Sequence, residues 1–170
     1  MPLFTFDHYQ LTQLSLASRS TPNEISPIIK INIAAAAGED REKMQESLDD
    51  LVRLGLLEQT NENPRLASEL EPAFLIIHRP DQVWKFYREG LIDSGEENFC
   101  WLAGAGVQIT VGPAFLHHIV KYPYTKELVK EWFVNELMKD IEVPKKGLVK
   151  SRIMIEENEI LILAMMQVIL

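Results

Sequence analysis

The sequence contains one cysteine, Cys100, and too few basic residues to balance its acidic ones. A lone cysteine excludes an intrachain disulfide. Its neighbours Phe99 and Trp101 supply no cation that would activate the thiol, so we interpret Cys100 as a small buried hydrophobic residue. The 17 Lys and Arg residues face 25 Asp and Glu, which gives a net charge of −8. That charge disfavours nucleic acid and anionic lipid as partners.

Targeting signals and membrane-length apolar runs are also missing. The first ten residues have neither the basic start nor the apolar stretch of a signal peptide, which predicts a cytoplasmic protein. The longest apolar run covers residues 160–170, whereas a membrane-spanning helix needs about 20 residues. With 46% hydrophobic and 25% charged residues, the 170-residue chain has the composition of an ordinary globular domain, and no membrane partner is predicted.

The usual signatures of enzymes and metal sites are absent from the sequence. Gly104 and Gly106 begin a dinucleotide-binding pattern, but a strand pattern follows them where a phosphate-binding helix is needed. The four histidines lack the spacing of a metal site: His8, His78, His117 and His118. The three tryptophans lie in amphipathic segments and are interpreted as core residues: Trp84, Trp101 and Trp132. We therefore predict no catalytic residue, no metal and no cofactor.

Residues 1–72 are predicted to be mainly helical. Apolar spacing and caps predict helices over 6–17, 28–37 and 40–54, the second one capped by Ser26. The third helix has a clear apolar stripe, made of Met44, Leu48, Leu51, Val52 and Leu54. A short strand is expected over 56–59, followed by a helix over 64–71.

Residues 73–170 are predicted to form an antiparallel sheet. Strands are expected over 73–77, 83–88, 98–103, 106–111 and 115–122, and a final hairpin over 148–155 and 159–168. The connections are too short for crossover helices, which favours antiparallel pairing. An amphipathic helix over 125–139 is expected to cover one face of this sheet. The fold class predicted for the chain is a single α+β domain.

The order of elements in residues 26–59 resembles a winged-helix domain, in which the helix starting at Asp40 is the recognition helix and Leu56 begins the wing. This resemblance implies that Arg41, Lys43 and Arg53 contact DNA. The charge argues otherwise, because residues 38–72 contain ten acidic and four basic residues, a net of −6. Recognition of a phosphate backbone requires cations, so DNA binding is the alternative hypothesis.

A second resemblance covers roughly residues 48–111. The helix ending at Gly55-Leu56-Leu57, the segment 63–70, the apolar run after Pro72, the turn 79–82 and the aromatic strand 84–87 together look like one half of the EspG-type chaperones of type VII secretion. The resemblance implies a non-enzymatic protein with an antiparallel sheet flanked by helices, which binds helical secretion substrates. It implies no individual binding residue.

The function we predict is a non-catalytic protein-binding module or chaperone-like adaptor, either binding a protein partner or forming a homodimer. The candidate interface is the apolar, methionine-containing end of the chain: Ile162, Met165, Met166 and Ile169. Methionine suits adaptable interfaces. The same residues also fit a strand buried in the chain's own sheet, and the sequence does not choose between the two interpretations.

Overall fold

The computed structural model describes residues 3–29, 40–60, 63–89, 95–111, 118–142, 149–155 and 158–164, and these form helices packed on an antiparallel sheet. The helices are α1 (His8–Ala17), α2 (Arg41–Arg53), α3 (Glu71–His78) and α4 (Lys126–Glu142). The strands are β1 (Leu3–Phe6), β2 (Leu57–Glu58), β3 (Arg65–Leu66), β4 (Gln82–Glu89), β5 (Gly95–Leu102), β6 (Ala105–Val111), β7 (His118–Tyr124), β8 (Val149–Ile155) and β9 (Asn158–Ala164). The predicted α+β class is confirmed.

Seven strands form one sheet in the order β1-β7-β6-β5-β4-β8-β9, and every neighbouring pair is antiparallel. β5 and β6 meet at a two-residue turn in which Ala103 and Gly104 have φ values of 50° and 84°. This is the left-handed backbone that tight hairpins require. Strands β2 and β3 form a separate two-stranded ribbon, with Leu57 opposite Leu66.

The amino-terminal helices share one core with one face of the sheet. Leu11 and Leu14 of α1, Leu51 of α2 and Phe74 of α3 are fully buried. They belong to the same cluster as Ile109 and the other inward residues of β5 and β6. The alternation of side chains along a strand selects these residues, because only every second position of β6 reaches this face.

The opposite face of the sheet carries an aromatic cluster covered by α4. The ring of Trp132 makes edge contacts with Phe99 and Phe86, at centroid distances of 4.9 and 5.2 Å. Trp84 and Trp101 pack at 5.2 Å, and Trp101 is 1% exposed. The predictions that α4 covers the sheet and that the tryptophans belong to the core are confirmed.

Two predicted elements between residues 64 and 77 are wrong. The helix expected over 64–71 is replaced by β3 and a turn, and the strand expected over 73–77 is the helix α3. A short run such as Ala73–Ile77 has no period that separates a buried strand from a buried helix. Pro72 lies in the first turn of α3, where its missing N–H costs no hydrogen bond, so it starts the helix.

The amino-terminal segment differs from prediction in its first residues. Phe6 is the last residue of β1, and α1 begins after Asp7, whose carboxylate accepts from the Gln10 amide at 2.8 Å in a capping box. The expected helix over 28–37 starts at Ile28, and its remainder from residue 30 lies outside the described residues. On α2, Leu51 is buried as predicted, but Leu54 follows the last helical turn and is 60% exposed.

The carboxy-terminal half follows the predicted order. Thr125 caps α4, accepting the Leu128 amide at 3.3 Å, and β8 pairs with β9 as the final hairpin. Residues 165–170, which the sequence analysis placed in the same hairpin and interface, are not among the described residues. No helix within the described ranges has the length and apolar character needed to cross a membrane.

Candidate binding groove

The three cations predicted to contact DNA lie on one helix and are exposed, but two of them are paired locally. Arg53 Nη2 lies 2.7 Å from Asp50 Oδ1, and Lys43 Nζ lies 3.6 Å from Asp40 Oδ2. Arg41 is exposed in the first turn of the same helix. The acidic residues of α2 therefore neutralise part of the charge on which the DNA hypothesis depends.

The predicted carboxy-terminal interface is only partly described. Ile162 lies in β9, where it pairs with Ser151 of β8, and among the described strands β9 is the last one of the sheet on that side. Met165, Met166 and Ile169 lie outside the described residues. The choice between a buried strand and an interface stays a prediction.

A cavity of about 630 Å³ opens between α1, α2 and the β2–β3 ribbon. Its apolar lining comes from Leu16 and Ala17 of α1, Leu48 of α2 and Pro64 before β3. Leu16 is 69% exposed and is therefore accessible to a partner. We call this cavity, with the adjoining surface described below, the binding groove.

Local hydrogen bonds hold the walls of the binding groove in place. Gln13 of α1 donates its side-chain amide to the Met44 carbonyl of α2 at 2.8 Å. Thr60 donates its hydroxyl to the Asn63 carbonyl at 2.6 Å, which closes the ribbon loop beside Pro64. These hydrogen bonds therefore fix the positions of the two helices and the ribbon around the exposed Leu16.

The charged residues that line this cavity in the described part of the chain are Arg19 and Arg65. Arg65 is exposed at the start of β3. Arg19 follows the end of α1, and its Nε lies 3.9 Å from Glu71 Oε1, with both side chains largely exposed. A contact of this length between exposed groups contributes little stability. An acidic protein thus presents two guanidinium groups in a cavity that also has four apolar lining residues and three polar uncharged ones, Gln13, Thr60 and Asn63.

A second cavity of about 360 Å³ adjoins the first at Arg19, which lines both. It lies between the segment after α1 and the start of α3, and Pro72 and the 44% exposed Leu75 form its apolar part. The binding groove therefore has apolar surface in both of the cavities that Arg19 lines.

A buried Ser–His pair is the part of the structure closest to catalytic chemistry. Ser15 Oγ lies 2.9 Å from His78 Nε2, and His78 Nδ1 lies 2.6 Å from the Ser20 carbonyl. A carbonyl can only accept, so Nδ1 carries the proton and Nε2 accepts from Ser15. Burial lowers the pKa of His78, and the contact with Ser20 acts in the opposite direction.

The burial of this pair decides what it can do. His78 is 0% exposed and lines neither of the two cavities, so no substrate atom can reach its ring in this conformation. The pair joins α1 to the end of α3, and Ser26 adds a 2.6 Å hydrogen bond to the Ile77 carbonyl. His78 therefore has a structural role, since its hydrogen bonds link α1 to the end of α3.

Cys100 is fully buried under the amino-terminal helices, as predicted, and burial raises the pKa of its thiol far above the usual range. Within the described ranges, no three His, Cys, Asp or Glu residues lie close enough together to hold a metal ion.

Sequence reasoning missed the binding groove, since its lining comes from three separate segments. One signal was available: Leu14 and Leu16 are two residues apart, so they cannot share a face of the helix predicted over 6–17. An apolar residue off the buried stripe of a helix is a candidate contact residue. A scan of protein-family models and a comparison with curated proteins both find no match for this chain.

Proposed function

We propose that this chain is a non-catalytic protein-binding module, and that the binding groove is its contact surface. The observation that carries the proposal is the exposed Leu16 beside Ala17 and Leu48, with Arg19 and Arg65 at the margin. Protein interfaces combine an apolar centre with a polar rim and are enriched in arginine. A groove with this composition fits a side chain of another polypeptide better than a small polar metabolite.

The groups with catalytic potential support a binding role. His78 and Cys100 are both fully buried, and each has a pKa moved by burial toward its neutral form. A general base or nucleophile has to reach its substrate within hydrogen-bond distance. These two residues are better explained as parts of the core.

Crosslinking from the groove tests the proposal. A photoreactive amino acid replaces Leu16 in one variant and Leu54 in another, which is a matched control because Leu54 is similarly exposed but does not line the cavity. After irradiation in cells of the source organism, we expect a discrete protein adduct from position 16 and none from position 54. Equal adducts from both positions, or none from position 16, would contradict the proposal.

Homodimerisation is proposed at the other end of the fold, through β9 and the residues after it. A strand at the edge of a sheet can pair with a second copy, and the apolar Met165 and Ile169 follow β9 in sequence. Replacing both residues by Asp and measuring mass by light scattering tests this. A folded monomer supports the dimer interface, and an unfolded product indicates a buried strand. A cytoplasmic location is part of the same proposal.

A winged-helix DNA-binding regulator is the second candidate. It is favoured by the order of α2 and the two-stranded β2–β3 ribbon directly after it. Fluorescence polarisation on a random DNA duplex at low salt provides the test. Binding that disappears when Arg41, Lys43 and Arg53 are replaced together by Ala would favour this candidate over the protein-binding module.

A further inference from the structure

We propose that the partner of the binding groove is an acidic amphipathic helix, whose carboxylates pair with Arg19 and Arg65 while its apolar side chains contact Leu16 and Leu75. The inference rests on the proposed function and adds the chemistry of the partner. It depends on the sign of the charge at the groove, on the combination of apolar and charged residues that line it, and on the weak local pairing of the two arginines.

The charge at the binding groove favours an acidic partner over a basic one. The chain as a whole carries a net charge of −8, and residues 38–72, which supply most of the ribbon side of the groove, carry −6. Within this acidic surface the described charged residues that line the two cavities are two arginines, Arg19 and Arg65, and one carboxylate, Glu71. A basic partner would be attracted to most of the molecule but repelled at this groove, whereas an acidic segment gains attraction at this groove in particular.

The apolar and charged residues that line the two cavities are complementary to those of an amphipathic helix. Leu16 and Arg19 line the larger cavity, and Arg19, Pro72 and Leu75 line the smaller one. A partner helix can carry a carboxylate between two apolar residues on one face, at spacings of three and four. Its carboxylate would then contact Arg19, and its apolar residues would contact the two cavities. A guanidinium group can accept such a carboxylate in a two-point contact.

Arg19 and Arg65 are only weakly paired within the chain, so they are available to a partner. Among the described residues, Arg65 lies opposite Glu58 in the β2–β3 ribbon but makes no ion pair within 4 Å, and the contact from Arg19 to Glu71 is long and exposed. Glu71 therefore competes weakly for Arg19 with any incoming carboxylate. Removing that competitor should strengthen the binding of an acidic segment.

The experiment uses three fluorescent helical peptides of about 18 residues, long enough for a helix to be stable on binding. All have Leu at positions i, i+3 and i+7 and differ in the intervening residues, which are Glu, Gln or Lys. Polarisation is measured with the full chain and with the Arg19→Glu/Arg65→Glu variant. The matched control is Arg53→Glu, an exposed arginine on α2 that does not line the groove.

The Glu peptide is expected to bind most tightly and to weaken as salt is raised. The double reversal should weaken it at least about tenfold and let the Lys peptide bind in its place, whereas Arg53→Glu should change affinity less than about twofold. Glu71→Gln should tighten the Glu peptide by about two- to threefold. Leu16→Ser should weaken all three peptides, and Leu54→Ser should weaken none.

The inference is overturned if the Gln or Lys peptide binds the unmodified chain as tightly as the Glu peptide, if none of the three binds, or if the double reversal leaves the Glu peptide unchanged. Circular dichroism of each variant shows that it is folded. A protein adduct from position 16 together with any of these results rejects the acidic helix and retains the protein-binding module. If position 16 gives no protein adduct and the Glu peptide does not bind, both proposals are rejected.

Discussion

Acid should weaken the fold through His78, because the buried ring is held neutral between Ser15 and the Ser20 carbonyl. An exposed histidine in the unfolded chain has a pKa of about 6.5, and burial lowers the pKa of His78 in the folded protein. Above pH 6.5 both states are neutral, and the contribution of His78 to stability is complete. As the pH falls below 6.5, the unfolded state binds a proton that the folded state does not accept, and stability is lost down to the folded pKa.

The slope of this loss follows from one proton. The free energy of unfolding should fall by up to about 1.4 kcal/mol for each pH unit within that window. Urea unfolding at pH 7.5, 6.5 and 5.5, followed by tryptophan fluorescence, measures it directly. The aromatic cluster that contains Trp101 and Trp132 provides the signal.

A glutamine variant separates His78 from the other titrating groups. His78→Gln keeps a donor and an acceptor but cannot be protonated, and it should cost about 1–2 kcal/mol at pH 7.5 because the two hydrogen bonds are less well placed. Its stability should change less between pH 7.5 and 5.5 than that of the unmodified chain. His8→Gln is the control and should retain the full slope. Equal slopes for the unmodified chain and His78→Gln would refute the assignment.

Three further outcomes follow from the sheet. Gly106→Ala should destabilise the protein by about 2–3 kcal/mol in urea unfolding, because a Cβ there would lie 2.7 Å from Trp101 Cε3 and 2.8 Å from the Tyr124 carbonyl; an unchanged midpoint would contradict this close packing. Ala103→Gly should raise the free energy of unfolding by about 0.5–1 kcal/mol, since glycine tolerates the φ of 50°, and a loss of stability would argue against the turn geometry. Cys100 should react with a maleimide only on unfolding, at a rate that follows urea concentration, and rapid labelling of the native protein would show that the thiol is accessible.

The sequence predicted the sheet well where side chains alternate and connections are short. β4 and β6 carry a two-residue period, with Trp84 and Phe86 on one face of β4 and Val107 and Ile109 on one face of β6. The turn at Ala103–Gly104 lies one residue before the predicted break and fixes the register of β5 against β6. The helix α4 was also predicted, since it has a capping threonine and apolar residues at helical spacing. These features depend on residues that are close together in the sequence, so the sequence alone can predict them.

The parts that were wrong or missed depend on contacts between distant residues. The run Ala73–Ile77 is apolar at every position, and it becomes α3 because a helix there fills the space between α1 and the sheet. β1 was not predicted, and its last residue Phe6 was assigned to a helix, because its partner, β7, lies more than a hundred residues away in sequence. The binding groove was invisible for the same reason, as Leu16, Leu48 and Arg65 come together only in the folded chain.

The pairing of β1 with β7 sets an order on folding. Leu3 lies opposite Lys121, so during synthesis the first strand of the sheet remains without its neighbour until most of the chain has left the ribosome. Forming a contact between positions so far apart carries a large loop-closure cost, which places it late on the folding pathway. Substitutions at Phe4 or Phe6 should therefore accelerate unfolding while leaving the refolding rate nearly unchanged, and this edge of the sheet should be the first to open.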